Sequence, residues 1–321
     1  DGGYRKRRML DAQDWRLAVA VASLLLAASL AGQLLRILVA RSAPHALIDN
    51  LNRRIASWWL IVALVGLALL AGRSAVTLLF AVVSLVALRE FLAGEAAANC
   101  PRALVVASFA LVVPLQYLLI WADQAWLYSA LIPLLVFVGR PLLGLLSGDC
   151  GAFLGATRTL CGGLLACVFG LSHIPALLTL PAGDDPGAAA RRMIFLLLVV
   201  QVSDVLQYVW GKLAGRHPIA PRLSPSKTVE GTLGGIVSAV ALGAGLSWMT
   251  SLTPLAAGWI ALLLTLLGFA GGLAMSAAKR RRGIKDWSRL IPGHGGMLDR
   301  VDSLILSAPA FYYLLRGGWV T

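Results

Sequence analysis

Long apolar runs separated by short polar links make up most of the chain. Because about 20 predominantly apolar residues can cross the hydrocarbon core of a bilayer as a helix, each run predicts one span, or two where the run is longer. We therefore expect an all-α polytopic membrane protein with about ten transmembrane helices. The predicted spans are residues 17–40, two spans within 55–88, and residues 103–120, 125–147, 159–180, 193–213, 232–249, 254–275 and 301–317.

Polar residues inside these runs predict local features of the spans. The run 55–88 is too long for one span, and Gly72-Arg73 is expected to break it into a tight hairpin. Arg140 precedes a proline inside the fifth span, so we expect a kink there and an arginine that faces protein or water. His173 in the sixth span is interpreted as a hydrogen-bonded interior residue rather than a metal ligand.

The span 193–213 differs from the others because its polar side chains share a helix face. Asp204, Gln207 and Tyr208 stand at positions i, i+3 and i+4, which lie side by side on a helix. An ionisable group deep in a span costs about 2.5–3.5 kcal/mol on insertion scales, so its presence predicts a functional role. The alternative is a structural aspartate that bonds to neighbouring helices.

Composition excludes a soluble domain and a nucleic-acid-binding protein. The chain is 59% apolar and 13% charged, whereas soluble domains carry about 25% charged residues. The formal net charge is +13, but the basic residues lie between apolar runs and have no aromatic residues interleaved for base stacking. This placement follows the positive-inside rule, and a basic membrane face also suits anionic lipid head groups.

The four cysteines give no signal for metal binding or disulfides. They are Cys100, Cys150, Cys161 and Cys167, and none of them forms a CxxC pair. We interpret them as small core residues.

The two most polar loops are expected on the same side of the membrane. Residues 214–231 and 276–300 are separated by two predicted spans, and both loops are basic. The link between those spans, residues 250–253, carries no charge. The positive-inside rule therefore predicts a multi-pass protein of the cell (inner) membrane with its polar site on the cytoplasmic side.

The chemistry of the chain is concentrated in residues 276–302. Basic side chains there lie beside Asp286, Asp299 and Asp302, around the glycine turn 292–296. Carboxylates would hold a divalent cation, while basic side chains and backbone N–H groups would meet phosphate oxygens. The stretch therefore predicts a polyphosphate held through a metal ion. Its basic run Lys279–Arg282 is interpreted as a topology-setting flank.

Asp299 and Asp302 are the leading candidates for the cation. They stand at i and i+3 where the last span begins, so they share one helical face, and such a pair suits a divalent cation. Asp286 and Asp204 are the other candidate carboxylates.

Residues 224–228, with the sequence SPSKT, have two interpretations. Ser224, Lys227 and Thr228 offer hydroxyls and an ammonium group near the start of the next helix, which is a plausible phosphate cradle. Equally, Thr228 and Glu230 are what an ordinary helix start requires.

The stretch 276–302 matches, in residue type and spacing, the signature of the phosphatidate cytidylyltransferase (CDP-diacylglycerol synthase) family. The residues that carry the resemblance are Ser276, Lys279-Arg280, Lys285-Asp286, His294-Gly295-Gly296, Asp299-Arg300 and Asp302. Upstream, Asp204 with Tyr208 and the segment 211–231 resemble a second block of that family. Arg89-Glu90-Phe91 resembles a Glu-Phe element in its N-terminal half. Ser226 departs from the pattern, because the family often has lysine there.

The resemblance runs from about residue 50 to the end of the chain. It implies a cytidylyltransferase-like core at 50–321, with the catalytic part at about 193–321, and an N-terminal extension at 1–49 that contains one extra apolar segment. It also implies a homodimer.

The implied reaction is the transfer of a cytidylyl group from CTP to phosphatidate, which gives CDP-diacylglycerol and pyrophosphate. Mg²⁺, as one or two cations, would be held by Asp204, Asp286, Asp299 and Asp302, and Lys285 joins the last three as catalytic residues. Substrate phosphates and the turn around them would involve Ser224, Lys227, Thr228, Arg289, His294, Gly295, Gly296 and Arg300.

Three alternatives remain open from the sequence. A CTP-dependent polyprenol kinase would release CDP rather than pyrophosphate, and a cytidylyltransferase could use another lipid phosphate. A lipid transporter would explain the intramembrane Asp204, but the polar residues gather at one side of the membrane rather than along a path. A catalytically dead scaffold would be expected to lack one of the three carboxylates Asp286, Asp299 and Asp302, and all are present.

Overall fold

A computed structural model of the chain describes residues 46–93, 99–181, 183, 185, 187–290 and 295–318, with scattered positions between 19 and 37. Within this part, 6 helices are long and apolar enough to cross a membrane, and shorter apolar helices accompany them at Ile55–Ala71, Val229–Gly245 and Leu304–Arg316. The predicted all-α polytopic membrane architecture is confirmed.

The described elements follow one another with short connections. In chain order they are α1 (Ala46–Ala71), α2 (Arg73–Leu92), α3 (Arg102–Trp121), α4 (Ala125–Leu146), α5 (Cys150–Thr179), α6 (Ala188–Leu213), β1 (Pro218–Ala220), β2 (Ser224–Thr228), α7 (Val229–Gly245), α8 (Pro254–Arg281), α9 (Leu298–Val301) and α10 (Leu304–Arg316). In α4 a π-helical segment at Leu135–Gly139 ends two residues before Pro141. Proline has no N–H to donate, so the expected irregularity near Arg140 takes this form.

Three local predictions are confirmed. Gly72, at φ 101°, separates α1 from α2 and forms the predicted hairpin. The Arg140 guanidinium donates to the Thr157 hydroxyl at 2.9 Å, so it faces protein. His173 is fully buried, and its Nδ1 lies 2.7 Å from the carbonyl oxygen of Phe169.

Helices α5 and α6 begin well before their predicted spans because polar residues support their first turns. Helix α5 begins at Cys150 rather than at residue 159, since the Asp149 carboxylate accepts a hydrogen bond from the Ala152 N–H at 3.0 Å. Helix α6 begins at Ala188 rather than at residue 193, and its Arg191 pairs with Asp185. Hydropathy alone could not show either contact.

The other helix ends differ for local reasons as well. Helix α8 continues through its basic residues to Arg281, and α10 begins at Leu304 because Leu298–Val301 forms a turn of its own. Helix α7 begins at Val229, before the predicted span 232–249, and ends at Gly245, where a 3-10 turn at Ser247–Met249 follows it. The first predicted span, 17–40, lies largely outside the described residues.

Helix α5 forms the centre of the bundle. Its membrane-crossing window is 83% buried, the highest value among the long helices described. Cys161 and Cys167 lie on this helix as buried free thiols, Cys100 is buried elsewhere, and Cys150 is half-buried. Their interpretation as core residues is confirmed for the three that are buried.

Glycines allow α7 to cross α6 at backbone contact distance. A Cβ at Gly235 would lie 2.3 Å from Gln207 Cγ, and a Cβ at Gly231 would lie 2.7 Å from the Gln207 carbonyl oxygen. Small residues at such crossings are common between membrane helices because they let backbones approach. The crossing holds α6, which carries Asp204, against the strand that carries Lys227.

Replacement of Gly235 tests this crossing. We expect Gly235→Ala to lower the free energy of unfolding by about 1–3 kcal/mol, because the new methyl group overlaps Gln207. Gly245→Ala on the same helix is the matched control, since a Cβ there meets nothing within 4 Å. Thermal unfolding in detergent micelles measures both variants. An equal loss of stability in the two would contradict the close crossing.

Candidate active site

Four charged side chains meet at one end of the bundle, which we call the polar end. It is the end where α2, α6 and α8 finish and where α10 begins. Asp204 comes from α6, Lys227 from β2 and Lys279 from α8, and Asp302 lies between α9 and α10. The charge of Asp302 interacts with each of the other three. The fold therefore brings together carboxylates and ammonium groups that are far apart in sequence.

The surface of α8 is shaped to let this cluster form. The Lys227 ammonium lies 4.5 Å from the ring centroid of Phe269, and a Cβ at Gly272 would lie 3.3 Å from the same nitrogen. At Gly271 a Cβ would lie 2.7 Å from the carbonyl oxygen of Asp302. Two adjacent glycines thus leave room for Lys227 and for the Asp302 backbone.

Asp204 and Asp302 are incompletely compensated. Burial, and next to it the Asp204 carboxylate, raise the pKa of Asp302 to about 7, although Lys279 and Lys227 act in the opposite direction. A neighbouring carboxylate disfavours the ionised form of Asp302. The pair would be better balanced with an additional positive charge beside it.

Asp204 and Asp302 alone supply too few oxygen atoms for a divalent cation, so substrate phosphates and water would have to complete its coordination. The described residues contain no group of 3 or more His, Cys, Asp or Glu side chains that could hold a metal ion. Mg²⁺ is usually bound through one or two carboxylates, with substrate phosphates and water supplying the other oxygens. Asp204 and Asp302 meet that smaller requirement.

Asp299 is held by three donors from its own surroundings. Its Oδ1 accepts from the Lys279 ammonium at 2.7 Å. Its Oδ2 accepts from the backbone N–H groups of Trp287 and Gly296, each at 2.9 Å. Asp299 therefore joins α8 to both ends of the loop that precedes α9, and its role as a metal ligand stays a prediction.

A fourth carboxylate, the buried Glu90 at the end of α2, received no role from the sequence. Its Oε1 accepts from the Ser288 hydroxyl at 2.6 Å and from the Met297 N–H at 3.0 Å, and its Oε2 accepts from the Leu298 N–H at 2.8 Å. These partners are 198 to 208 residues away in the chain. The Glu-Phe resemblance marked the element, but no local pattern could reveal what it contacts.

The interpretation of Lys279–Arg282 as a topology-setting flank is incomplete. Besides the Lys279 contact, Arg280 donates to the carbonyl oxygen of Leu223 at 3.1 Å. The Arg282 guanidinium lies 4.9 Å from the ring centroid of Trp287, where a cation–π contact forms. These side chains build the polar end rather than only flanking a span.

The structure confirms that residues 224–228 lead into an ordinary helix start. They form β2, which pairs antiparallel with β1 so that Pro218 lies opposite Thr228. The Thr228 hydroxyl caps α7 by accepting from the Gly231 N–H at 3.1 Å. This contact does not test phosphate binding by Lys227 or by the half-buried Ser224.

Glu230 ties the turn before β1 to the start of α7. Its carboxylate accepts from the backbone N–H groups of Arg216 at 3.0 Å and His217 at 3.2 Å. These hydrogen bonds, with that from the His217 ring, lower the pKa of Glu230 to about 2. The hairpin that carries Lys227 is thus anchored at both ends.

The other predicted site residues differ in exposure and contacts. Lys285, Asp286 and Arg289 are exposed, and the Arg300 carbonyl oxygen accepts from Gln201 Nε2 at 2.9 Å. Gly295 has φ 86°, a conformation that favours glycine. His294 lies outside the described residues.

The predicted polar face of α6 is divided. Asp204 is half-buried in the cluster and Gln207 is buried against α7, whereas Tyr208 is 53% exposed. Sharing a helix face therefore did not give these three residues a shared environment.

A comparison with known families decides what kind of protein carries this cluster. The model of the cytidylyltransferase family matches residues 52–317. The chain belongs to this family. Over 267 residues this cytidylyltransferase is 38% identical to the Escherichia coli (strain K12) protein named "Uncharacterized protein YnbB", and the match covers 82% of this chain and 86% of that protein.

Proteins named phosphatidate cytidylyltransferase match a shorter region. The one from Brucella abortus is 42% identical over 139 residues, which cover 42% of this chain and 50% of that protein. The one from Staphylococcus epidermidis is 37% identical over 129 residues, which cover 39% and 49% respectively. The chain thus spans about half the length of these two relatives.

The Lys279–Asp299 pair can be tested by removing its cation. We expect Lys279→Met to lower the free energy of unfolding by about 3 kcal/mol, because it leaves a buried carboxylate without its charge partner. The Asp299 side chain is 4% exposed and that of Lys279 12% exposed, so solvent screens the pair little. Chemical unfolding in detergent provides the measurement.

The exposed Arg281 supplies the control for that experiment. It belongs to the same basic run, and Arg281→Met removes the same charge from the surface, where single substitutions usually change stability by about 0.5 kcal/mol or less. If both variants lose the same stability, the buried pair is not what holds α8 to the loop.

Proposed function

We propose that this cytidylyltransferase transfers the cytidylyl group of CTP to phosphatidate, giving CDP-diacylglycerol and pyrophosphate. The observation that carries the proposal is the meeting of Asp204 and Asp302 beside Lys227 and Lys279 at the polar end of membrane-crossing helices. In this proposal the lipid phosphate reaches this end from the bilayer and the nucleotide reaches it from water. The family match and the partial matches to phosphatidate cytidylyltransferases support the same reaction.

The reaction asks for positioning more than for a strong base. An oxygen of the lipid phosphate attacks the α-phosphorus of CTP, the bond from that phosphorus to the bridging oxygen breaks, and its electron pair leaves with pyrophosphate. The lipid phosphate is already an anion at neutral pH, so it is a competent nucleophile. The barrier lies in bringing two polyanions together and in stabilising charge on the leaving group.

The chain supplies basic side chains for that purpose, one within the cluster and two exposed to solvent. Lys227 is held next to the carboxylates by its contacts with α8 and would meet a phosphate there, with Ser224 nearby on the same strand. Lys285 and Arg289 are exposed on the loop that follows α8 and would draw the nucleotide phosphates towards the cluster. Lys279 is already paired with Asp299, so it contributes by fixing the loop.

The donor set is suited to Mg²⁺, as one or two cations. Asp204 and Asp302 would hold a cation between them, and Asp286 and Asp299 are further candidate carboxylates. A bound cation would neutralise charge on the phosphates. The Asp204 carboxylate beside Asp302 supports a cation at this position.

We propose that the polar end faces the cytoplasm of the inner membrane. The basic residues that follow α8, and the basic hairpin between α6 and α7, support this orientation through the positive-inside rule. CTP is available on that side. Labelling of an introduced cysteine at the exposed Arg289 in sealed vesicles of known orientation tests it, and labelling only from the periplasmic side would overturn it.

The reaction itself is tested with the purified chain in detergent, CTP, Mg²⁺ and phosphatidate. We expect CDP-diacylglycerol and pyrophosphate in equal amounts, and no product once EDTA removes the cation. Release of CDP with a newly phosphorylated lipid would identify a kinase instead. If another lipid phosphate gives product and phosphatidate does not, the proposed cytidylyl transfer is correct but its acceptor is a different lipid.

Neutralising a carboxylate of the central pair tests the site. We expect Asp302→Asn and Asp204→Asn each to lower kcat by about 100-fold or more, which is the scale of losing one charge-stabilising group at a reaction centre. Both variants should also weaken the binding of Mn²⁺, measured by electron paramagnetic resonance in the presence of CTP and without phosphatidate, since the nucleotide phosphates complete the coordination.

Asp123 provides a matched Asp→Asn control. It lies between α3 and α4 with a side chain that is 56% exposed, and its φ of 60° is one that asparagine adopts readily. Asp123→Asn should keep the kcat and Mn²⁺ binding of the unmodified protein. Full activity in Asp302→Asn and Asp204→Asn would remove these residues from the mechanism.

A further inference from the structure

The Glu90 carboxylate bridges the two stems of the loop that precedes α9. Ser288 belongs to the stem that follows α8, whereas Met297 and Leu298 belong to the stem that enters α9. All three donate to the same carboxylate at 2.6–3.0 Å. Glu90 therefore joins the two stems, and we call this contact with its three donors the clasp. Its carboxylate comes from a helix outside the predicted catalytic part 193–321.

The clasp is a buried, charge-assisted contact rather than a surface ion pair. Glu90 is 8% exposed, and no Lys or Arg in the described part of the chain forms a salt bridge with it. Its charge is balanced by one hydroxyl and two backbone N–H donors. Hydrogen bonds to an ionised acceptor are the stronger kind, and removing such an acceptor leaves buried donors without a partner.

Gly296 is shaped around this carboxylate. A Cβ there would lie 2.6 Å from Glu90 Oε2 and 2.9 Å from Oε1. The glycine that the sequence assigned to substrate binding is thus needed first to admit Glu90 between the stems.

The end of α2 is itself fixed in place. The Arg282 guanidinium lies 4.6 Å from the ring centroid of Phe91 and donates to the Phe91 carbonyl oxygen. The Phe91 and Trp287 rings pack with centroids 5.2 Å apart. Glu90 is therefore presented to the loop from a rigid position.

The clasp leads directly to the central carboxylates. Leu298 precedes Asp299, which accepts from the backbone at Trp287 and Gly296. Glu90 and Asp299 together fix four backbone N–H groups of the loop, two on each carboxylate. The position of Asp302, four residues after Leu298, depends on this frame.

We propose that Glu90 is a positioning residue for the cytidylyl transfer. Its carboxylate holds the two stems together so that Asp302 stays beside Asp204 and Lys227. This role rests on the proposed function, because it concerns the geometry of that reaction. Glu90 touches no substrate in this role, and it acts through the loop.

Glu90→Gln tests the clasp because it keeps the shape and replaces one acceptor oxygen by a donor. We expect kcat to fall by about 100-fold, the scale of a small misplacement at a reacting centre, with the KM for phosphatidate within about threefold of the unmodified protein. The Mg²⁺ concentration for half-maximal activity should rise. Hydrogen–deuterium exchange should increase in peptides covering residues 287–302 and stay unchanged in α4 and α5.

Ser288→Ala is the second variant, and it covers the case in which Glu90→Gln does not fold. It removes one of the three donors, so kcat should fall by about tenfold with the melting temperature unchanged. Arg89→Gln is the control, since Arg89 is exposed on the same helix turn. That variant should keep both the activity and the exchange pattern.

The outcomes separate the two proposals. An unmodified protein that forms no CDP-lipid contradicts the proposed function, whatever the variants do. An active unmodified protein with the same kcat, Mg²⁺ dependence and loop exchange in Glu90→Gln overturns the positioning role. If hydrogen–deuterium exchange in Glu90→Gln rises throughout the bundle, Glu90 contributes only to the stability of the whole protein, and the positioning role is wrong. Full activity in Ser288→Ala would show that the contact between the two stems is not needed for the reaction.

Discussion

Every carboxylate buried at a membrane boundary needs compensation from within the protein. Asp299 is compensated by an ammonium group and two N–H donors, and Glu90 by a hydroxyl and two N–H donors. Asp302 instead has the Asp204 carboxylate beside it, which disfavours its ionised form. Asp299 and Glu90, which are fully hydrogen-bonded, hold the loop and the helices in position. Asp204 and Asp302 mark the place where a cation and a substrate are expected.

The same arrangement depends on glycines, which leave space where a larger residue would have a side chain. Gly235 lets two helix backbones meet, Gly271 and Gly272 admit an aspartate backbone and an ammonium group, and Gly296 admits a carboxylate. Larger residues at these places would push charges away from one another. Electrostatics at the polar end is thus set partly by packing, since the energy of each charge pair depends on the approach that the glycines permit.

Much of this arrangement could be predicted from local sequence. An ionisable residue in an apolar run identifies Asp204, and a glycine before an arginine identifies the hairpin at Gly72. The sequence could not distinguish Asp299 from Asp302, because an i, i+3 spacing places both on one face. They differ because Asp299 turns back to the loop and to Lys279, and this pairing spans 20 residues. Long-range contacts of this kind have no local pattern.

The reach of Glu90 along the chain also sets an order of assembly. Its backbone donors lie 207 and 208 residues downstream. At a synthesis rate of about 5–20 residues per second, they emerge about 10–40 s after Glu90 itself. During that interval the end of α2 carries a carboxylate without its final partners, so the first half of the bundle cannot reach its native state alone. The contacts that hold the end of α2 in place can therefore form only after residues 288–298 have been made.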